Sequence, residues 1–147
     1  MSYQNILVPV DGSDTSFAAI KKAADLAKAF DAKITVAQVL ALDPYIAAEY
    51  ITTSQTNDII ERARSSIQDT LEEAKQRFQS EGVEVETKLL EGQVIHREIV
   101  NAAEELKADL IVIGSHGRTG LKKLFLGSVA QNVLSEISTP VLVVRQP

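Results

Sequence analysis

The sequence predicts an α/β fold: a three-layer, doubly wound sandwich in which a parallel sheet is covered by helices on both faces. Three observations predict it. Short apolar, branched runs alternate with amphipathic helical stretches in the order βαβαβαβαβ, and crossovers of that kind make the strands parallel. Most of those runs are apolar throughout, as strands covered on both faces are. A long glycine-bearing stretch, Gly114 to Ser128, joins the fourth strand to the last helix.

The elements follow in chain order. Asn5 to Val10 is the first strand, with Pro9 near its end, where a missing N–H costs least. Asp11-Gly12-Ser13-Asp14 is turn chemistry, and Ser13 or Asp14 is placed to cap the next helix. Phe17, Ile20, Ala24, Ala27 and Phe30 recur at helical spacing and give that helix one apolar stripe. Lys33 to Leu40 is strand two. Residues 41 to about 57 carry Leu42, Pro44, Tyr45, Ile46, Tyr50 and Ile51, too apolar for a plain solvated loop. A flap over a site or a partner surface, and a loop packed on the body, fit equally. From Asp58 to Ser80, Ile60, Ala63, Ile67, Leu71, Ala74 and Phe78 form a second stripe, with Gly82 as the residue that ends the helix. Val83 to Leu89 alternates, which suits a strand at a sheet edge, and Glu91-Gly92 reads as a turn. Ile95, Ile99, Ala102 and Leu106 mark a third helix. Asp109 to Ile113 is strand four, the fourth helix starts at Ser128, and Thr139-Pro140 precedes the last strand, Val141 to Arg145.

Composition bounds the function. A chain of 147 residues predicts a single domain, residues 1–147, and 45% hydrophobic content makes it globular. A net charge of −5 argues against a general nucleic-acid binder. With no cysteine, disulfides and thiolate chemistry are excluded, which fits a reducing compartment. No apolar run approaches the length needed to span a membrane. The start Met1-Ser2-Tyr3-Gln4-Asn5 lacks a basic region, so no signal peptide is expected and the expected location is the cytoplasm.

The chain is organised around Gly114-Ser115-His116-Gly117-Arg118-Thr119-Gly120 and the residues that follow to Gly127-Ser128. Glycine admits positive φ and close approach of a ligand. A helix start presents free N–H groups and a partial positive charge, and Ser128 is a good N-cap residue. Together they make an anion cradle, most often for phosphate. In open α/β sheets ligands sit beyond the carboxyl ends of the strands, at a topological switch point. There Gly114, Gly117, Gly127 and Ser128 would donate to phosphate, and Arg118 would add a charged fork. Asp11 either accepts from a base or ribose, or reaches a phosphate-bound metal through water, or serves the turn or the helix cap. Val39 either meets a base edge or is core. His116 has no base, nucleophile or metal partner at a recognisable spacing, and it reads as a loop residue. The sequence has neither a GxxxxGK[ST] run nor a GxGxxG after strand one, so the standard phosphate and dinucleotide fingerprints are missing.

These residues together resemble the universal stress protein family, in its ATP-binding branch. That branch carries Gly, two residues, Gly, nine residues, Gly, then Ser or Thr, here Gly114, Gly117, Gly127 and Ser128. The opening Ile6 to Ser13 and the ending Thr139 to Val144 are also similar, so the likeness spans the chain. The resemblance implies an adenine nucleotide alpha hydrolase-like sheet of five parallel strands in the order 3-2-1-4-5. It implies bound ATP, with AMP and ADP as alternatives, and Mg²⁺ or Mn²⁺ held through the phosphates. It implies a homodimer joined by the C-terminal strands, a role in stress response and an unidentified protein partner. By matching position the nucleotide contacts would be Pro9, Val10, Asp11, Val39, Gly114, Gly117, Arg118, Gly127, Ser128 and Val129. No catalytic residue and no protein ligand for a metal are assigned. A nucleotide-responsive regulator is the first functional expectation. A slow ATPase or phosphotransferase is the alternative, for which the sequence offers Arg118 but no convincing general base.

Overall fold

The computed structural model describes residues 3–41, 53–115 and 127–145, with the side chains of 53–56 left aside. The strands are β1 (Asn5–Pro9), β2 (Lys33–Ala41), β3 (Val85–Gly92), β4 (Leu110–Gly114) and β5 (Val141–Val144). The helices are α1 (Asp14–Phe30), α2 (Thr53–Ser80), α3 (Ile95–Glu105) and α4 (Ser128–Glu136). All pairings are parallel, in the order β3-β2-β1-β4-β5, as the sequence and its family likeness lead one to expect.

Successive residues of a strand point to opposite faces, and the core divides accordingly. Ile6, Val8, Ile34, Val36, Leu110 and Val112 point to one face and pack with Ile20, Ala24, Leu71 and Phe78 of α1 and α2. Leu7, Ala37, Ile111 and Ile113 point to the other and pack with Ile99 and Ala103 of α3 and Ala130 and Val133 of α4. Fully burying such a side chain contributes ~1.5–3 kcal/mol, so the two apolar layers fix which helix lies on which face. Both predicted helical stripes are buried or partly buried, and Phe30 closes α1 with an edge-to-face contact to Tyr3 at 5.4 Å.

Two local devices hold the frame. Gly82, at φ +81°, ends α2 as predicted: its N–H donates to Gln79 O and that of Val83 to Phe78 O. At the amino end of the sheet, the Asp109 carboxylate accepts from the amides of Gln4 and Asn5 at 2.8 and 3.0 Å, and Asp109 N–H returns a bond to Asn5 O. That exchange sets the register of β1 against β4 before either enters the core.

The structure corrects two boundaries. Glu91 and Gly92 do not turn the chain; they extend β3, paired with Leu40 and Ala41 of a β2 that runs nine residues. A long neighbour offers hydrogen bonds that outweigh the turn preference of that dipeptide. α2 starts at Thr53 rather than Asp58. Its first turn lacks the apolar spacing that would reveal it. The segment read as a flap or packed loop falls mostly on residues 42–52, outside those described.

Candidate functional site

β1 and β4 are neighbours, yet the chain leaves them toward opposite faces, into α1 and α4. A crevice forms at such a reversal, and the register places Val10 and Gly114 level with each other at its floor, each three residues past the paired Leu7 and Ile111.

On the β1 side the turn is closed by its own polar groups. Asp11 Oδ1 accepts from Ser13 N–H at 2.9 Å, and Ser16 Oγ accepts from Asp11 N–H at 3.3 Å. Ser13 caps α1: its Oγ accepts from Ser16 N–H at 3.1 Å, and its carbonyl accepts from Phe17 N–H and Ser16 Oγ. Gly12 makes the bend at φ +84°. Of the roles expected for Asp11, the turn role is therefore present. Pro9 and Val10 are buried, and Val10 N–H donates to Ala37 O at 2.8 Å, so that amide belongs to the sheet. Val39 is partly buried against the α3–α4 layer.

On the β4 side the two ends of the glycine stretch meet. Gly127 N–H donates to Ser115 O at 2.6 Å, and Ser115 N–H donates to Val144 O at 2.8 Å. Ser115 is only 3% exposed. This changes two expectations. Gly127 N–H is already engaged by the chain, so it is not a spare phosphate donor. Gly127, not Ser128, is the N-cap of α4; Ser128 is its first helical residue, exposed, with Val129 behind it partly buried. A serine followed by helix reads as a cap, but the preceding glycine is the residue whose extended backbone, φ −65° and ψ 159°, opens the helix. The cap has no side chain and the first turn holds no acidic residue. The amides of Ser128 and Val129 thus open a helix whose positive end is offset by no acidic residue of its own first turn. His116, Gly117 and Arg118 lie outside the described residues.

Two contributors escaped the sequence reading. Thr15 and Ser16, at 3% and 5% exposure, sit in the first turn of α1, and Ser16 was legible as the fourth residue of a Ser13-x-x-Ser16 cap. Thr15 packs against Gly114. At the far rim, Arg64 of α2 reaches Glu91 at the end of β3 at 2.6 Å and Glu61 at 2.8 Å. The Arg64 hydrogen bond holds the Glu91 carboxyl below its ordinary range, and Glu91 and Glu61 hold the guanidinium above its own. Among the described residues no three His, Asp or Glu side chains are grouped to hold a metal, and no helix is long and apolar enough to cross a membrane.

Sheet order, opposed exits and a glycine-started helix define a doubly wound α/β domain with a crevice at its switch point. The chain belongs to the universal stress protein family, whose sequence profile matches residues 2–145. The universal stress protein MJ0531 of Methanocaldococcus jannaschii is 40% identical over 99% of this chain and 84% of its own length. Among solved structures, MJ0577, from the same organism, superposes with a TM-score of 0.86 at 30% identity, covering 100% of this chain and 99% of that one. A universal stress protein in complex with cAMP gives 0.74 at 29% identity, with 100% of both chains covered. The Archaeoglobus fulgidus protein in complex with dAMP gives 0.69 at 29% identity, covering 99% of this chain and 100% of that one.

Proposed function

We propose that this chain is an adenine-nucleotide-binding regulator that takes ATP in the crevice between β1 and β4. The observation that carries the reading is the Ser115–Gly127 clasp. It sets the start of α4, with its glycine cap, at the carboxyl end of β4. The relatives crystallised with cAMP and dAMP support an adenine nucleotide as the ligand class. In this reading Ser128 and Val129 donate backbone N–H groups to phosphate, joined by Gly117 and Arg118. Pro9, Val10, Asp11 and Val39 border the base and ribose, and Gly114 lies beneath. Asp11 is the acidic side chain of that set, and its Oδ1 is engaged by Ser13; in this reading Mg²⁺ or Mn²⁺ is carried by the phosphates. The reading includes a cytoplasmic setting and a homodimer paired through β5. That strand is an edge of the sheet, and its Leu142 is exposed while Val143 packs inward.

Titration calorimetry of Gly127→Val with ATP and Mg²⁺ tests the reading. Gly127 has an ordinary negative φ, so the backbone accepts valine, while the branched side chain enters the phosphate path. ATP affinity is expected to fall by at least ~100-fold, about 2.7 kcal/mol. Unchanged affinity would remove the phosphate assignment.

A further inference from the structure

Gly114 faces protein where its side chain would be. A Cβ built there meets Thr15 O at 2.9 Å, Thr15 carbonyl C at 3.0 Å and Thr15 Cγ2 at 3.0 Å. Two of those atoms are backbone, in a helix turn fixed by the Ser13 cap, so they cannot swing aside. The space left by the missing side chain is filled by α1, on the face opposite α4. The next residue, Ser115, is tied to β5 through Val144 O and to α4 through Gly127 N–H. The backbone at 114–115 is thus gripped by α1, β5 and α4 together. A displacement of Gly114 carries Ser115 with it, and through the 2.6 Å bond it carries Gly127, from which α4 starts. Packed interiors transmit such shifts instead of absorbing them.

We propose that Thr15 is a positioning residue of the nucleotide site: through Gly114 and Ser115 it sets where the first turn of α4 points. Gly114 then serves the site as the place where α1 closes on β4, not as a phosphate donor. The affinity part rests on the nucleotide reading above; the positional part does not.

The test uses Gly114→Ala, Thr15→Ser and the double variant of the full chain, each with and without ATP and Mg²⁺. Without nucleotide, Gly114→Ala is expected to shift the Ser128 and Val129 amide resonances and lower the urea midpoint. With nucleotide, its ATP dissociation constant rises about tenfold, and adding Thr15→Ser, which removes Cγ2, recovers about threefold, the scale of coupling between touching residues. Unmoved Ser128 and Val129 resonances in nucleotide-free Gly114→Ala would overturn the proposal, as would affinity losses that simply multiply in the double variant. If Gly114→Ala does not fold, Thr15→Ala alone decides: it removes the whole side chain beside Gly114, and unmoved Ser128 and Val129 resonances in that variant would overturn the proposal. If the unaltered chain binds no ATP, the nucleotide reading falls, and the nucleotide-free spectra still decide the positional claim.

Discussion

Two helices begin at the same crevice, and they begin differently. α1 is entered through Asp11, Ser13 and Ser16, which satisfy one another and the first-turn amides, and Asp14 adds a negative charge to that turn. α4 is entered through Gly127, with no side-chain acceptor and no acid in its first turn. Both starts carry the same backbone dipole. Among the described residues, what separates them is whether the cap and first turn supply an acceptor and a negative charge. A helix start that is capped and charged from within is a structural joint. One that is left open at a strand end is where an external phosphate gains most.

The comparison breaks most visibly if α4 is given what α1 has. Gly127→Asp supplies a cap and a carboxylate to the first-turn amides. Unlike the valine, it is expected to raise nucleotide-free stability by a few tenths of a kcal/mol, the usual margin of a good cap over glycine. It is also expected to weaken ATP binding on the order of 100-fold, because a fixed negative charge would occupy the phosphate position. Urea denaturation and calorimetry on one preparation read both. Stability and affinity falling together would mean that the α4 start is not an open anion site.

The reciprocal change is smaller. Ser13→Ala removes the α1 cap and should cost about 1 kcal/mol of stability. Asp11 and Ser16 keep the rest of the turn, so ATP affinity should move by less than about twofold. A tenfold loss of affinity with little loss of stability would place the Ser13 hydroxyl on the ligand and erase the distinction between the two helix starts.

The frame was far more legible than the site. The stripes of α1 and α2 repeat at helical spacing over several turns, and such a signal survives any tertiary context. Gly82 could be read as a helix terminator because that role is local. The site depends on contacts between residues distant in the chain. Nothing near Thr15 announces that Gly114, nearly a hundred positions later, needs the space beside it. Asp109 and the Gln4 and Asn5 amides are equally silent until β1 and β4 are paired. Misplacing the α4 cap on Ser128 has a different cause: preference favours the hydroxyl residue, while the bond from Gly127 to Ser115 decides where the helix can begin. The glycine spacing marks the stretch between β4 and α4, but only packing reveals that Gly114 is closed off by Thr15 and that Gly127 is bonded to Ser115.

The far rim provides a control with the smallest expected effect. Arg64 and Glu91 join α2 to the end of β3, away from both helix starts. The folded chain holds Glu91 below its ordinary carboxylate value, so the unfolded chain binds the proton more readily. The stabilising increment is therefore present at neutral pH and is lost as pH falls through the folded value of Glu91. Arg64 is shifted the other way and stays charged throughout that window. Both side chains are substantially exposed, so the increment is small and screened by salt. Urea midpoints of the unaltered chain and Glu91→Gln should differ slightly at about pH 7 and converge toward about pH 3, with the gap narrowed by added salt. ATP affinity at neutral pH should be the same in both. A gap that persists at low pH would assign the stability difference to packing of the side chain, and a change in ATP affinity would extend the nucleotide site across β2 to this rim.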